Sequence, residues 1–140
     1  MNQLRRILLV EDNPGDVDLT QETLRDGDAT LAFSIAIDGI DAIAKLEASA
    51  NDAQEAFDLV LLDLNLPRKS GHDVLAHLRA HPTLARLPVV VLTSSDAAPD
   101  IAESYALGAN CYVTKPVGLE QFEAAVRSIQ SFWLGVARLP

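Results

Sequence analysis

The sequence predicts a single α/β domain in which five parallel strands alternate with five helices, a doubly wound (βα)5 sheet. Short, nearly continuous apolar runs recur along the chain, as expected for strands buried on both faces of a parallel sheet. Segments with apolar residues at helical spacing separate these runs. Such alternation favours right-handed crossovers that place helices on both faces of the sheet.

The strands are predicted from the five apolar runs. These runs cover residues 7–10, 31–37, 59–62, 89–92 and 111–113. Each has the length of a strand and is too short for a typical helix.

The helices are predicted from the segments between the runs. Asn13 is suited to cap the first helix, and Pro14 is suited to its first turn. Gly108 lies where a residue just past a helix end is expected. The later helices are predicted over residues 38–48, 71–80, 97–107 and 119–132, and the polar stretch 49–56 is predicted to be a loop.

Composition excludes several classes of protein. The 140 residues, 49% of them hydrophobic, suffice for one good core. A net charge of -9 opposes binding to nucleic acid. Cys111 is the only cysteine, which excludes an intramolecular disulfide and suits a reducing compartment.

The first apolar run is too short for a signal peptide or a membrane span. Together with the acidic charge, this leads us to expect a cytoplasmic protein that binds neither membrane nor nucleic acid.

Charged and hydroxyl residues follow four of the predicted strands. Glu11 and Asp12 follow the first strand, Asp63 the third, Thr93 the fourth and Lys115 the fifth. In a parallel α/β sheet the ligand crevice lies outside the carboxyl ends of the strands. We therefore expect these side chains to converge.

The three carboxylates predict a metal site. Two unit charges 4 Å apart interact by about 4 kcal/mol at an intermediate dielectric, so the cluster needs a cation. Ligands that are all oxygen favour Mg²⁺, and the absence of Cys and His from the cluster argues against zinc. Asp12, Asp63 and the backbone carbonyl of Asn65 are predicted to be direct ligands of the metal ion. Glu11 is predicted to act from the outer coordination shell.

A carboxylate beside a metal ion can also accept a phosphoryl group. Asp63 is the best candidate because it follows the carboxyl end of the central strand, with the other groups around it. Transfer of a phosphoryl group depends mainly on positioning and on cationic stabilisation of its oxygens. Mg²⁺, Lys115 and the Thr93 hydroxyl are each suited to bind one of those oxygens.

With these motifs the chain resembles the receiver domains of bacterial two-component response regulators, over residues 6–130. The matching residues are Glu11-Asp12, the stretch 62–67 with Gly71, Thr93-Ser94 and Lys115-Pro116. The resemblance implies a flavodoxin-like fold with strand order 2-1-3-4-5. It also implies that a sensor histidine kinase phosphorylates Asp63, that Mg²⁺ is required, and that Thr93 and Tyr112 form a switch. Glu11 departs from the pattern, since Asp is commoner there.

A protein of this kind is a phosphoacceptor in signalling and catalyses only its own phosphorylation and dephosphorylation. The alternative is a small Mg²⁺-dependent phosphatase with an aspartyl-phosphate intermediate. Such an enzyme needs a general acid near the nucleophile, and Asn65, two residues after Asp63, cannot supply a proton. A flavodoxin-like electron carrier is a further alternative, but Glu11 and Asp12 would repel a flavin phosphate.

A narrower resemblance is to the stand-alone regulators paired with bacterial phytochromes. It rests on residues 11–16, the extended loop after Leu46, the stretch 100–112 and the tail 132–140. It implies a phytochrome-type kinase as the partner. The residues leave open whether the phosphorylated protein docks on a target, passes phosphate to a histidine phosphotransfer protein, or drains phosphate from the kinase.

The tail extends beyond a complete receiver domain. We predict a receiver domain at residues 1–131 and an extension at 132–140. Phe132 and Trp133 are large aromatic residues near a terminus, where such residues often mark an interface. The extension either folds back on its own domain or forms a homodimer with the last helix, and the narrower resemblance favours the homodimer.

Three histidines lie on or next to the third predicted helix. His77 and His81 have the spacing of metal ligands, but the sequence pattern supplies no third ligand. We therefore expect His72, His77 and His81 to be exposed helix residues.

Overall fold

The computed structural model describes residues 5–140, so the first four residues of the predicted domain lie outside it. Its strands are β1 (Arg6–Val10), β2 (Ala32–Ala36), β3 (Leu59–Leu62), β4 (Val89–Thr93) and β5 (Cys111–Thr114). They form one sheet in the order β2-β1-β3-β4-β5, and every neighbouring pair is parallel. The predicted flavodoxin-like fold is confirmed.

Five α-helices connect the strands or follow the last one. They are α1 (Pro14–Gly27), α2 (Gly39–Ala50), α3 (Gly71–Ala80), α4 (Ala98–Ala106) and α5 (Leu119–Ser131). The Asn13 side chain caps α1 by accepting from the Asp16 N–H at 3.1 Å, and Ser70 and Asp73 form a capping box at α3. None of the helices formed by residues 5–140 has the length and hydropathy of a membrane span.

The sheet separates two apolar layers. On one face, side chains such as Leu8 and Val60 pack against α2 and α3. On the other, Ile7 and Leu61 pack against α1 and α5. β1, β3 and β4 are buried on both faces. The polar residues of these chain segments can therefore come together only at the carboxyl ends of the strands.

The structure shortens one predicted strand and lengthens one predicted helix. β2 covers Ala32–Ala36 rather than residues 31–37, and Ile37, which lies in a bend after this edge strand, is exposed. The loop predicted at 49–56 is partly wrong, since α2 continues to Ala50 and a 3-10 turn occupies Ala53–Glu55. Ser49 lies within the helix, where its hydroxyl donates to the Leu46 carbonyl at 2.7 Å.

The extension continues from α5 as one π-helical turn, Phe132–Val136. Trp133 and Leu134 pack against the apolar layer beneath α1 and α5. The Arg5 guanidinium donates to the Leu134 carbonyl at 2.5 Å. Phe132 meets the Trp133 ring edge-on but is 51% exposed. The start of the extension therefore folds back on its own domain and leaves one aromatic ring at the surface.

Candidate functional site

The carboxyl ends of four strands bring the predicted side chains together. Glu11 follows β1, Asp63 follows β3, Thr93 ends β4 and Lys115 follows β5. Backbone pairing extends past the strands, because the Asp63 N–H donates to the Val10 carbonyl at 3.0 Å and the Lys115 N–H donates to the Thr93 carbonyl at 2.7 Å. The sheet itself therefore fixes where these side chains begin.

Asp63 is buried at the centre of the group. Its Oδ1 accepts from the Thr93 hydroxyl at 2.7 Å and from the Asn65 N–H at 3.2 Å. Its Oδ2 accepts from Lys115 Nζ at 2.9 Å. Burial alone would raise the pKa of the Asp63 carboxyl, but the hydrogen bonds from Lys115 and Thr93 hold that pKa below its ordinary value. Asp63 is thus a carboxylate at neutral pH.

Lys115 binds three carboxylates. Its Nζ donates to Glu11 Oε1, to Asp16 Oδ2 at 2.9 Å and to Asp63 Oδ2 at 2.9 Å. Burial alone would lower the pKa of Lys115, but the hydrogen bonds to the three acids raise it above the ordinary value. Lys115 therefore supplies a permanent positive charge at the centre of the site.

Asp16 is a site residue that the sequence did not reveal. It lies in the first turn of α1, where an acidic residue is also a common helix-start feature. The only available signal was its position three residues after the helix cap. That signal does not tell which way the side chain points.

The acidic cluster has the donor set of a cation site. Glu11, Asp12 and Asp63 each offer an oxygen within 4.8 Å of the others. Burial raises the pKa of Glu11 to about 7, against the lowering effect of its hydrogen bond with Lys115. Asp12 is exposed, so water can complete a coordination shell on its side. Carboxylate oxygens with access to water fit a hard divalent cation.

Asn65 contacts the site through its backbone. Its N–H donates to Asp63, and the role of its carbonyl as a metal ligand stays a prediction. Phe132 and Trp133 lie beyond α5, outside this cluster.

Tyr112 is connected to the loop that follows Thr93. The Tyr112 hydroxyl donates to the Ser95 carbonyl at 2.8 Å, and the Tyr112 ring packs against the apolar layer beneath α2 and α3. Its backbone N–H donates to the Tyr105 hydroxyl at 3.1 Å. Burial raises the pKa of the Tyr112 phenol. Only Ser94 therefore separates Ser95, the contact of Tyr112, from Thr93, whose hydroxyl donates to Asp63.

The sequence of this chain is similar to a known protein family and to known proteins. The family model described as response regulator receiver domain matches residues 7–127. Response regulator Rcp1 of Synechocystis sp. is 42% identical over 140 residues, which cover 99% of this chain and 95% of Rcp1.

Solved structures agree over nearly the whole chain. The phosphorylated cyanobacterial phytochrome response regulator RcpA superposes with a TM-score of 0.92 at 44% identity, covering 98% of this chain and 99% of RcpA. The Mn²⁺-bound form of Rcp1 gives a TM-score of 0.88 at 42% identity and covers 97% of this chain and 99% of Rcp1.

Proposed function

The chain belongs to the response regulator receiver domain family, and we propose that Asp63 is the residue that accepts the phosphoryl group. One observation carries this proposal. Asp63 is a buried carboxylate that stays ionised while a lysine ammonium and a threonine hydroxyl bind its two oxygens. A nucleophile held between a cation and a hydroxyl donor is suited to transfer that depends on positioning and charge stabilisation.

The transfer requires no general base at Asp63. A carboxylate oxygen of Asp63 forms the new bond to phosphorus, while the bond between phosphorus and the imidazole nitrogen of the donor phosphohistidine breaks. That nitrogen keeps the electron pair. Because the pKa of Asp63 lies below its ordinary value, no proton has to leave before the attack. Lys115 and Thr93 then donate to oxygens of the transferred group.

Mg²⁺ is the proposed cation of this site. Asp12 and Asp63 would bind it directly together with the Asn65 carbonyl, and Glu11 would act through water. When bound, the ion neutralises charge on the phosphoryl oxygens. The all-oxygen cluster supports this proposal, as does the relative Rcp1, which has been solved in a Mn²⁺-bound form.

Thr93 and Tyr112 are proposed as the switch. Once a phosphoryl group occupies the position now bound by the Thr93 hydroxyl, that hydroxyl moves with it. The loop after β4 moves too, and with it the Ser95 carbonyl that holds the Tyr112 hydroxyl. Phosphorylation thus shifts the balance between two arrangements of this loop.

The proposed partner is a sensor histidine kinase of the phytochrome type. Support comes from the full-length similarity to Rcp1 and to the phytochrome response regulator RcpA. A histidine phosphotransfer protein is a further proposed partner, as a recipient of the phosphate. The proposed location is the cytoplasm, which these partners would require, and the acidic charge of -9 disfavours nucleic acid as a ligand. The phosphatase alternative is not favoured, because Asn65 offers no acid beside Asp63.

A homodimer through α5 and the extension 132–140 is also proposed, with residues 1–131 as the receiver domain. Phe132 and Val136 support it, because these apolar side chains stay exposed one turn apart. Phe132→Asp is expected to lower the mass found by sedimentation to that of a monomer. Gln54→Asp, which adds the same charge at an exposed position outside α5 and the extension, is the control. An unchanged mass in Phe132→Asp would remove the proposed contact.

The kinase proposal is tested by phosphotransfer. A phytochrome-type histidine kinase is first labelled with phosphate from ATP and then mixed with the chain or with its Asp63→Asn variant. We expect label to move to the wild-type chain and not to the variant. Label that stays on several such kinases, while a small acyl phosphate still modifies Asp63, would contradict the partner class but not the acceptor role.

A further inference from the structure

The hydrogen-bonding capacity of Lys115 is fully used. An ammonium group has three N–H donors, and Lys115 gives one each to Glu11, Asp16 and Asp63. An oxygen of an incoming phosphoryl group can therefore bind Lys115 only if one of these carboxylates is released.

The three carboxylates differ in what their release costs. The side chains of Glu11 and Asp63 are 5% and 7% exposed, whereas that of Asp16 is 31% exposed. A buried carboxylate that loses its cation is left uncompensated and poorly solvated. Asp16 can exchange its hydrogen bond with Lys115 for hydrogen bonds with water. Asp16 is thus the partner that leaves most cheaply.

The surroundings of Asp16 allow such an exchange. Its backbone is held at the start of α1, where its N–H donates to Asn13 Oδ1 at 3.1 Å. Among the hydrogen bonds formed by residues 5–140, its carboxylate takes part only in the one with Lys115. The side chain can swing away from Lys115 while the helix start stays in place.

From this geometry we propose that Asp16 is the exchangeable partner of Lys115. Asp16 accepts a hydrogen bond from one ammonium N–H of Lys115 while Asp63 is unmodified, and during transfer that N–H donates to a phosphoryl oxygen instead. This inference rests on the proposed acceptor role of Asp63. Asp16 does not touch the reacting atoms in this scheme, so it is a positioning residue that acts through Lys115.

The Asp16 carboxylate is expected to slow phosphate uptake by Asp63. The Asp16 carboxylate competes with the phosphoryl group for Lys115, and its negative charge repels an anionic donor. Removing that charge weakens the hydrogen bond that occupies one ammonium N–H and also weakens the repulsion. Asp16→Asn should therefore accept phosphate faster than the wild type, by about two- to fivefold if the lost pair has the strength of a partly exposed ion pair.

The test is a time course of phosphate uptake from acetyl phosphate with Mg²⁺, followed by intact mass on the full chain. Asp18→Asn is the matched control, because Asp18 is exposed on the same helix and the substitution removes the same charge. Asp16→Glu keeps the charge and is expected to remain within about twofold of the wild type. Damage to the start of α1 cannot explain a gain in rate, since damage slows uptake.

Two results would overturn the proposal. Uptake by Asp16→Asn no faster than by Asp18→Asn would show that Asp16 does not compete for Lys115. Slower uptake would show that Asp16 is required to aim the ammonium group. A wild type that gains phosphate alongside either result leaves the acceptor role of Asp63 intact. A wild type that gains none overturns that role and this inference with it.

Discussion

The Thr93 hydroxyl donates to the Asp63 carboxylate at 2.7 Å, joining the ends of two neighbouring strands. Thr93 is completely buried, so its hydroxyl has no water to turn to. The loop after β4 is consequently attached to the same carboxylate that the proposed chemistry modifies. We therefore expect a change at Asp63 to move that loop.

Thr93→Ala is expected to accept phosphate but to lose the conformational response. Alanine removes the hydroxyl that connects Asp63 to the loop, while Lys115 and the acidic cluster remain. Phosphate gain would be followed by mass, and the response by chemical shifts of the backbone amides from Ser95 to Tyr112. Thr114→Ala is the control, because Thr114 pairs with Thr93 in register but is exposed. Shifts in phosphorylated Thr93→Ala equal to those of the wild type would contradict the switch.

Lys115→Ala is expected to impair uptake and to destabilise the fold. Without its ammonium group, the buried acids Glu11 and Asp63 face each other uncompensated. Breaking a buried pair in this way costs about 3–5 kcal/mol of the free energy of unfolding. Urea denaturation measures that loss, and Lys69→Ala in the exposed loop before α3 is the control. Phosphate uptake by Lys115→Ala at the wild-type rate, followed by the wild-type conformational response, would contradict the role assigned to Lys115.

Arg79→Gln is expected to destabilise the domain without slowing uptake. The Arg79 guanidinium donates to the carbonyls of Gly108, Ala85 and Leu87 and to Asn110 Oδ1. It thereby connects the end of α3 to the turn before β4 and to the turn before β5. We expect the free energy of unfolding to fall by about 2–3 kcal/mol.

The control for this change is Arg127→Gln. Arg127 forms an exposed ion pair one helical turn from Glu123, and such pairs contribute about 0.5 kcal/mol or less. Equal denaturation midpoints for the two glutamine variants would show that the Arg79 contacts add little.

Trp133→Ala is expected to lower the free energy of unfolding more than Phe132→Ala does. Trp133 packs against the apolar layer beneath α1 and α5, so its truncation should lower the free energy of unfolding by about 2 kcal/mol or more. Phe132 is half exposed, and its truncation should cost well under about 1 kcal/mol. The comparison is made by urea unfolding at a concentration where both variants are monomeric. The reverse order would contradict the packing of the extension.

The sequence was sufficient for the sheet and for most of the site. Strands buried on both faces must be continuously apolar. The polar residue that ends each apolar run therefore lies at the carboxyl end of the sheet. This reasoning locates Glu11, Asp63, Thr93 and Lys115 without knowledge of any tertiary contact. The order of the strands came from the family resemblance rather than from the apolar pattern.

Contacts between helices and distant elements were beyond the reach of sequence patterns. Asp16 and Lys115 are 99 residues apart, and only the direction in which α1 leaves β1 brings them together. The expectation of exposed histidines was wrong for a similar reason. Across the α2–α3 contact, Glu47 accepts from His77 at 2.6 Å and pairs with His81 at 3.3 Å. His72 reaches the buried Ser104 of α4 at 2.9 Å.

Phosphorylation of Asp63 is tested most directly by the intact mass of the chain after incubation with acetyl phosphate, with and without Mg²⁺, beside Asp63→Asn. We expect a gain of one phosphate by the wild type that depends on the metal and is absent from the variant. An equal gain by Asp63→Asn would contradict the assignment of the acceptor. No gain by the wild type under any of these conditions would contradict the proposed chemistry of the site.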